Sequence, residues 1–161
     1  MVARIIVAVA LLVSAPLAGA AQGNPNFFER EIPDASVELV LSQLQNAIDE
    51  AGFTFMRVQN VDKGLEAKGF ERPPYKIVFF GDREAFEKAR EIDPRVTPYL
   101  PLKITLFEDD KGRVHLSVVD PAVVGRMFNP GLQEQFQDWS RQMRQILDDT
   151  AEEVEGSTLS P

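Results

Sequence analysis

The sequence contains no cysteine. That absence excludes disulfides, thiol catalysis, thiolate metal sites, covalent c-type haem attachment and a lipid anchor on cysteine, so the fold must be stable through its core alone. Positive charge is also scarce: 17 Lys and Arg stand against 25 Asp and Glu, for a net charge of -8. Such a surface repels phosphate backbones and anionic headgroups, which argues against nucleic acid as a partner. There is no G-x-S-x-G elbow, no D-x-D-x-D-G calcium ladder and no internal repeat. What is present is a chain of 161 residues, 44% hydrophobic with charges interleaved. That composition and length fit one globular domain and exclude a disordered tract or a multi-span membrane protein.

Residues 1–20 combine one positive charge at Arg4, an apolar run from Ile5 to Val13, a helix-breaking Pro16 and the small residues Ala18, Gly19 and Ala20. These are the three parts of a secretory signal, with a cleavage site after Ala20. The apolar run is short for a hydrocarbon core of about 30 Å, which favours a cleaved leader over a retained anchor. The expectation is an exported protein, periplasmic or extracellular, free of the membrane after cleavage. A polar linker over 21–26, one domain over 27–150 and a flexible acidic tail over 151–161 complete the expected organisation.

Periodicity predicts a short strand over 27–32, then a helix capped by Asp34 or Ser36, with Val37, Val40, Leu41, Leu44 and Ile48 inward and Gly52 as its stop. Strands follow over 53–61 and 75–80, the second nearly continuously apolar and placed centrally, with a short helical turn between them. A helix is predicted over 83–92, with Asp82 ahead of it and Phe86 and Ala89 inward. Three prolines between Asp93 and Pro101 forbid a long regular element there. Strands over 102–108 and 113–119 flank the turn Asp109 to Gly112. A short helix near 122–127 precedes a closing helix with Leu132, Phe136, Trp139, Met143 and Ile146 inward. The order β-α-β-β-α-β-β-α predicts an α+β domain, a largely antiparallel five-stranded sheet with its helices on one face.

Leu-Pro-Leu-Lys at 100–103, the acidic turn Glu108 to Gly112, the strand Val114-x-x-Ser117 and the Asp120-Pro121 stop resemble the signature of the domain of unknown function 302 family. Ala51-Gly52-Phe53, the strand Tyr75 to Phe80 and Asn129-Pro130 stand in that family's order, over nearly the whole mature chain. The resemblance implies a fold similar to the TATA-box-binding-protein-like architecture, commonly dimeric, with no settled activity. Many relatives carry cysteine at the positions of Gly81 and Leu102. This sequence is similar to the cysteine-free Leu-Pro-Leu-Lys branch, so no thiol or metal role carries over, and His115 stands where an aromatic is frequent.

His115 and Ser117 share one face of a strand with Asp120 nearby, but same-face neighbours lie about 6.5–7 Å apart. That is beyond the reach of a nucleophile and its base, so no catalytic residue is assigned and His115 reads as a surface histidine. Glu108, Asp109 and Asp110 read as a solvated turn, and Asp34, Ser36 and Asp82 as helix caps. A metal or haem carrier would rest on His115 with Met56, Met127 or Met143 as a second ligand. These methionines read as core residues, the stripe Trp139 to Met143 likewise, and neither metal nor cofactor is assigned.

In the hairpin, Leu102, Ile104, Leu106, Val114, Leu116 and Val118 form one face, to be covered by the helices. The opposite face holds Lys103, Thr105, Phe107, Arg113, His115, Ser117 and Val119, joined by Phe79 or Phe80. A mixed apolar and polar open face is a binding surface. The expectation is a non-enzymatic domain that uses Lys103, Phe107, His115 and Ser117 to hold a small ligand or a second copy of itself as a homodimer. The alternatives are the metal or haem carrier and an enzyme of unassigned reaction.

Overall fold

Helix α1 (Val37–Glu50) begins where the Ser36 hydroxyl accepts from the Leu39 amide, 3.2 Å away. It stops at Gly52, whose φ of +82° lies in the region that a side chain disfavours. Asp34, the alternative cap, instead holds a positive φ in the preceding turn. This computed structural model describes residues 24–158. The leader over 1–20 lies outside the described residues.

Strands β1 (Phe27–Ile32), β2 (Thr54–Asn60), β3 (Tyr75–Gly81), β4 (Leu102–Glu108) and β5 (Val114–Val119) form one sheet in the order β1-β5-β4-β3-β2. Every pairing is antiparallel. The apolar strand β3 is therefore interior, but β4 takes the centre. The short helix α2 (Val61–Glu66) starts where β2 was expected to end, and α3 (Arg83–Ile92) is capped by the Asp82 carboxylate, which accepts from the Glu84 and Ala85 amides. The proline-rich stretch forms a 3-10 helix over Pro94–Tyr99, and the Leu100-Pro101 bond is cis.

Helices α1 and α5 (Gln133–Thr158) pack on each other and on one face of the sheet. Between them and the strands lie Ile32, Leu44, Ile48, Val78, Phe80, Ile104, Leu106, Leu116, Phe136, Trp139 and Met143, all buried. Helix α5 continues through Thr158 and buries Thr150 and Val154. This corrects the flexible tail expected from residue 151. The apolar stripe runs on past Leu147 to Val154, seven residues later, and that spacing returns to the same helix face. The short helix α4 (Pro121–Gly125), started by Asp120, lies against α5.

One buried carboxylate ties the proline-rich segment to the turn before α5. Asp93 accepts from the Arg95 amide at 3.1 Å, from its guanidinium at 2.9 and 2.7 Å, and from the Asn129 amide at 2.9 Å. The Arg95 guanidinium first, then the two amides, hold its carboxyl well below the ordinary range, against the opposing effect of burial. A carboxylate depressed in the folded state stabilises the fold fully above its unfolded pKa of about 3.9, and the contribution is lost as pH falls below that value. Asp93→Asn, which keeps a capping oxygen but not the charge, is expected to lower Tm at pH 7. The difference from wild type should shrink below pH 4 in paired thermal melts; a constant difference would show that charge is not its origin.

Candidate functional site

The face of the sheet away from α1 and α5 is laid out by the strand register. One row runs Glu29, Ser117, Thr105, Ile77, Gln59 across the five strands. Above it, Phe27 faces Val119, and Lys103 faces Phe79, which faces Arg57. Below it run Glu31, His115, Phe107 and Tyr75. Phe79 is thus the member of its pair that joins the open face, while Phe80 is fully buried under the helices. Alternation in a strand requires this split, and register decides which residue goes where.

The open face has two parts. At the end nearest α4, the sheet, the Tyr99 side chain and the segment after α4 enclose a cleft of about 390 Å³. The sheet contributes Ile77, Lys103, Thr105, Ser117 and Val119 to its lining, and Phe27, Val124 and Met127 complete it. Phe27 and Val119 are each 39% exposed and Met127 68%, so three large apolar groups meet water around this cleft. Tyr99 packs its ring on Phe136, and burial, with a smaller effect of Asp120, pushes its hydroxyl pKa well above the ordinary value.

At the other end the rings of Tyr75, Phe107 and His115 stack in a ladder, with centroids 6.1 and 5.0 Å apart. His115 Nε2 lies 3.2 Å from Asp109 Oδ2. The same carboxylate accepts from the Lys111 and Arg113 amides and from the Arg113 guanidinium, which also reaches Glu31. The Arg113 amide and then its guanidinium hold the Asp109 carboxyl well below the usual range. This is a locked hairpin end rather than a reactive one.

All four site residues expected from the sequence stand on this face, and the geometry divides them. Lys103 and Ser117 line the cleft, whereas Phe107 and His115 belong to the ladder. Three readings are corrected. His115 is not a simple surface histidine: its side chain is only 20% exposed, between Phe107 and Asp109. Asp109 is an acceptor hub, not a merely solvated turn residue. Of the three methionines weighed as ligands, Met143 is core, while Met56 and Met127 are exposed. Ser117 Oγ is directed toward Glu29 at 3.5 Å, and Asp120 accepts from the Ala122 amide and the Ser140 hydroxyl. Neither therefore serves His115. Among the described residues, no three His, Cys, Asp or Glu side chains converge as metal ligands.

Sequence reasoning missed Phe27, Tyr99 and Met127 as parts of the site. Phe27 and Val119 could have been paired from the antiparallel register, but Tyr99 sits in the proline-rich stretch, where no periodicity reports orientation. A larger groove of about 670 Å³ lies between the end of α1, α3 and α5. Its walls are mainly charged or amide side chains, and Lys88 pairs with Glu84 and Arg141 with Asp138 along their own helices. Trp139 at its base is almost fully buried and offers no platform.

The family model for Domain of unknown function DUF302 matches residues 28–150. The fold is similar to that in the crystal structure of an uncharacterized conserved protein DUF302 from Bacillus stearothermophilus, with a TM-score of 0.71. That similarity comes at 19% identity, over 79% of this chain and 99% of the other. No curated protein matches the sequence.

Proposed function

This chain belongs to the Domain of unknown function DUF302 family, and from that premise we propose that it is a non-enzymatic binding domain that takes a small, largely apolar ligand in the cleft of its open sheet face. The observation that carries the reading is the coincidence of a concave site of about 390 Å³ with Phe27, Val119 and Met127 exposed at its opening. Such a volume lies within the range of small-molecule sites, which are mostly apolar with a few placed polar groups. Here the polar groups are Lys103, Thr105 and Ser117. Each methylene buried would contribute about 0.8 kcal/mol, roughly fourfold in affinity. The leader over 1–20 supports placing this binding outside the cytoplasm, after export.

The neutral apolar dye N-phenyl-1-naphthylamine tests the reading, because its fluorescence rises when it leaves water. The purified protein is expected to bind it saturably, and Thr105→Trp, which fills the cleft from the sheet, to abolish binding while the far-ultraviolet circular dichroism is unchanged. Dye binding that survives Thr105→Trp would place the apolar site elsewhere. A second copy of the chain is the competing occupant of this face. A dimer that light scattering detects and Phe107→Asp dissociates, together with no dye binding, would replace the ligand reading by self-association.

A further inference from the structure

Lys103 is the cation that lines the cleft, where it is exposed. Its ammonium has three donors. One reaches the Tyr99 carbonyl oxygen at 3.3 Å, and the charge stands 5.4 Å from the Tyr99 ring centroid. Among the described residues it forms no ion pair with a carboxylate. On the same face, Arg113 pairs with Asp109 and Glu31. Arg57, also on this face, lies over the Phe79 ring, outside the cleft. Of the residues lining the cleft Lys103 is the basic one, and it stands there with Ile77, Val119 and Met127.

Resting on the cleft reading above, we propose that the ligand is an amphiphilic organic acid, its carboxylate received by Lys103 and its apolar body lying along Ile77, Val119, Phe27 and Met127. Lys103 is exposed at the cleft, and partial burial alone lowers its pKa from the ordinary lysine value. A bound carboxylate supplies a counter-charge to the ammonium through a charge-assisted hydrogen bond. The nearest acidic side chain on this face by register is Glu29, two strands across and one same-face step along from Lys103. Strand spacing and rise put their backbones roughly 12 Å apart, and the Glu29 carboxylate stands 3.5 Å from Ser117 Oγ, so the ligand's carboxylate is placed at the Lys103 end of the cleft, away from Glu29.

Decanoate and decanol differ at the head group and share the apolar chain, so their displacement of the naphthylamine dye separates the charge from the cleft. Decanoate is expected to displace dye from the wild type at about tenfold lower concentration than decanol, a difference of about 1.4 kcal/mol. In Lys103→Met the preference is expected to vanish, decanoate and decanol displacing dye at concentrations within about twofold of each other, and Lys103→Arg is expected to retain it. Undiminished preference for decanoate in Lys103→Met, or none in the wild type, would overturn the assignment of a carboxylate to Lys103 and leave the cleft standing. Absence of dye binding in the wild type would remove the cleft reading and this inference with it.

Discussion

Trp139→Ala is expected to lower the free energy of unfolding by about 3–5 kcal/mol, the range for losing a large aromatic from a close-packed core. Trp139 is almost fully buried and meets Phe86 and Phe136 edge-to-face, with ring centroids 5.9 and 5.0 Å away. Phe136 in turn packs on Phe128 and on Tyr99, each at 5.5 Å. Tyr99 forms a wall of the cleft and accepts from the Lys103 ammonium. The aromatic cluster therefore joins α3, α5 and the proline-rich segment and carries support from the core to the open face. Domains are stable by about 5–15 kcal/mol, so the variant should unfold at far lower urea. Circular dichroism is the readout, since the substitution removes the only tryptophan. A loss below about 1 kcal/mol would contradict this packing.

Gly125→Ala is expected to cost about 1–3 kcal/mol, because overpacking a tight contact forces side chains or backbone to shift. A Cβ added at Gly125 would lie 2.6 Å from both the Cβ and Cγ of Phe136. Those atoms sit at the root of the ring, close to the α5 backbone, so a rotation of Phe136 cannot clear them. Helix α4 would have to lift from α5, carrying Val124 and Met127 away from the cleft, and weaker dye binding should accompany the lost stability. Gly64 supplies the opposite sign. It lies inside α2 with open space around an added Cβ. Gly64→Ala is expected to stabilise by roughly 0.5–1 kcal/mol, the ordinary penalty of glycine in a helix. Equal effects at the two sites in urea titrations would contradict the close approach at Gly125.

Much of this architecture is legible in the sequence, for identifiable reasons. The inward stripe Leu132, Phe136, Trp139, Met143 and Ile146 is buried throughout, since helical spacing and apolar side chains point the same way. The β4 and β5 hairpin alternates without interruption, so both its buried and its open face follow from period two alone. The end of α5 was not legible, because the acidic residues after Ala151 mask a stripe reduced to Val154. Nor was the cleft. Lys103 and Ser117 were placed on the right face, but their separation from Phe107 and His115 depends on where the Pro94–Tyr99 turn and α4 lie, which no local pattern reports. The His115 environment depends on Asp109, six residues away across a turn, and only the folded hairpin brings the two together.

Backbone amide shifts followed by nuclear magnetic resonance during titration with decanoate test the cleft most directly. The largest changes are expected at Ile77, Lys103, Thr105, Ser117 and Val119, with Met127 following and the α1 amides unmoved. Changes confined to α1 and α5, or spread along the groove beside Trp139, would contradict the assignment of binding to the open sheet face.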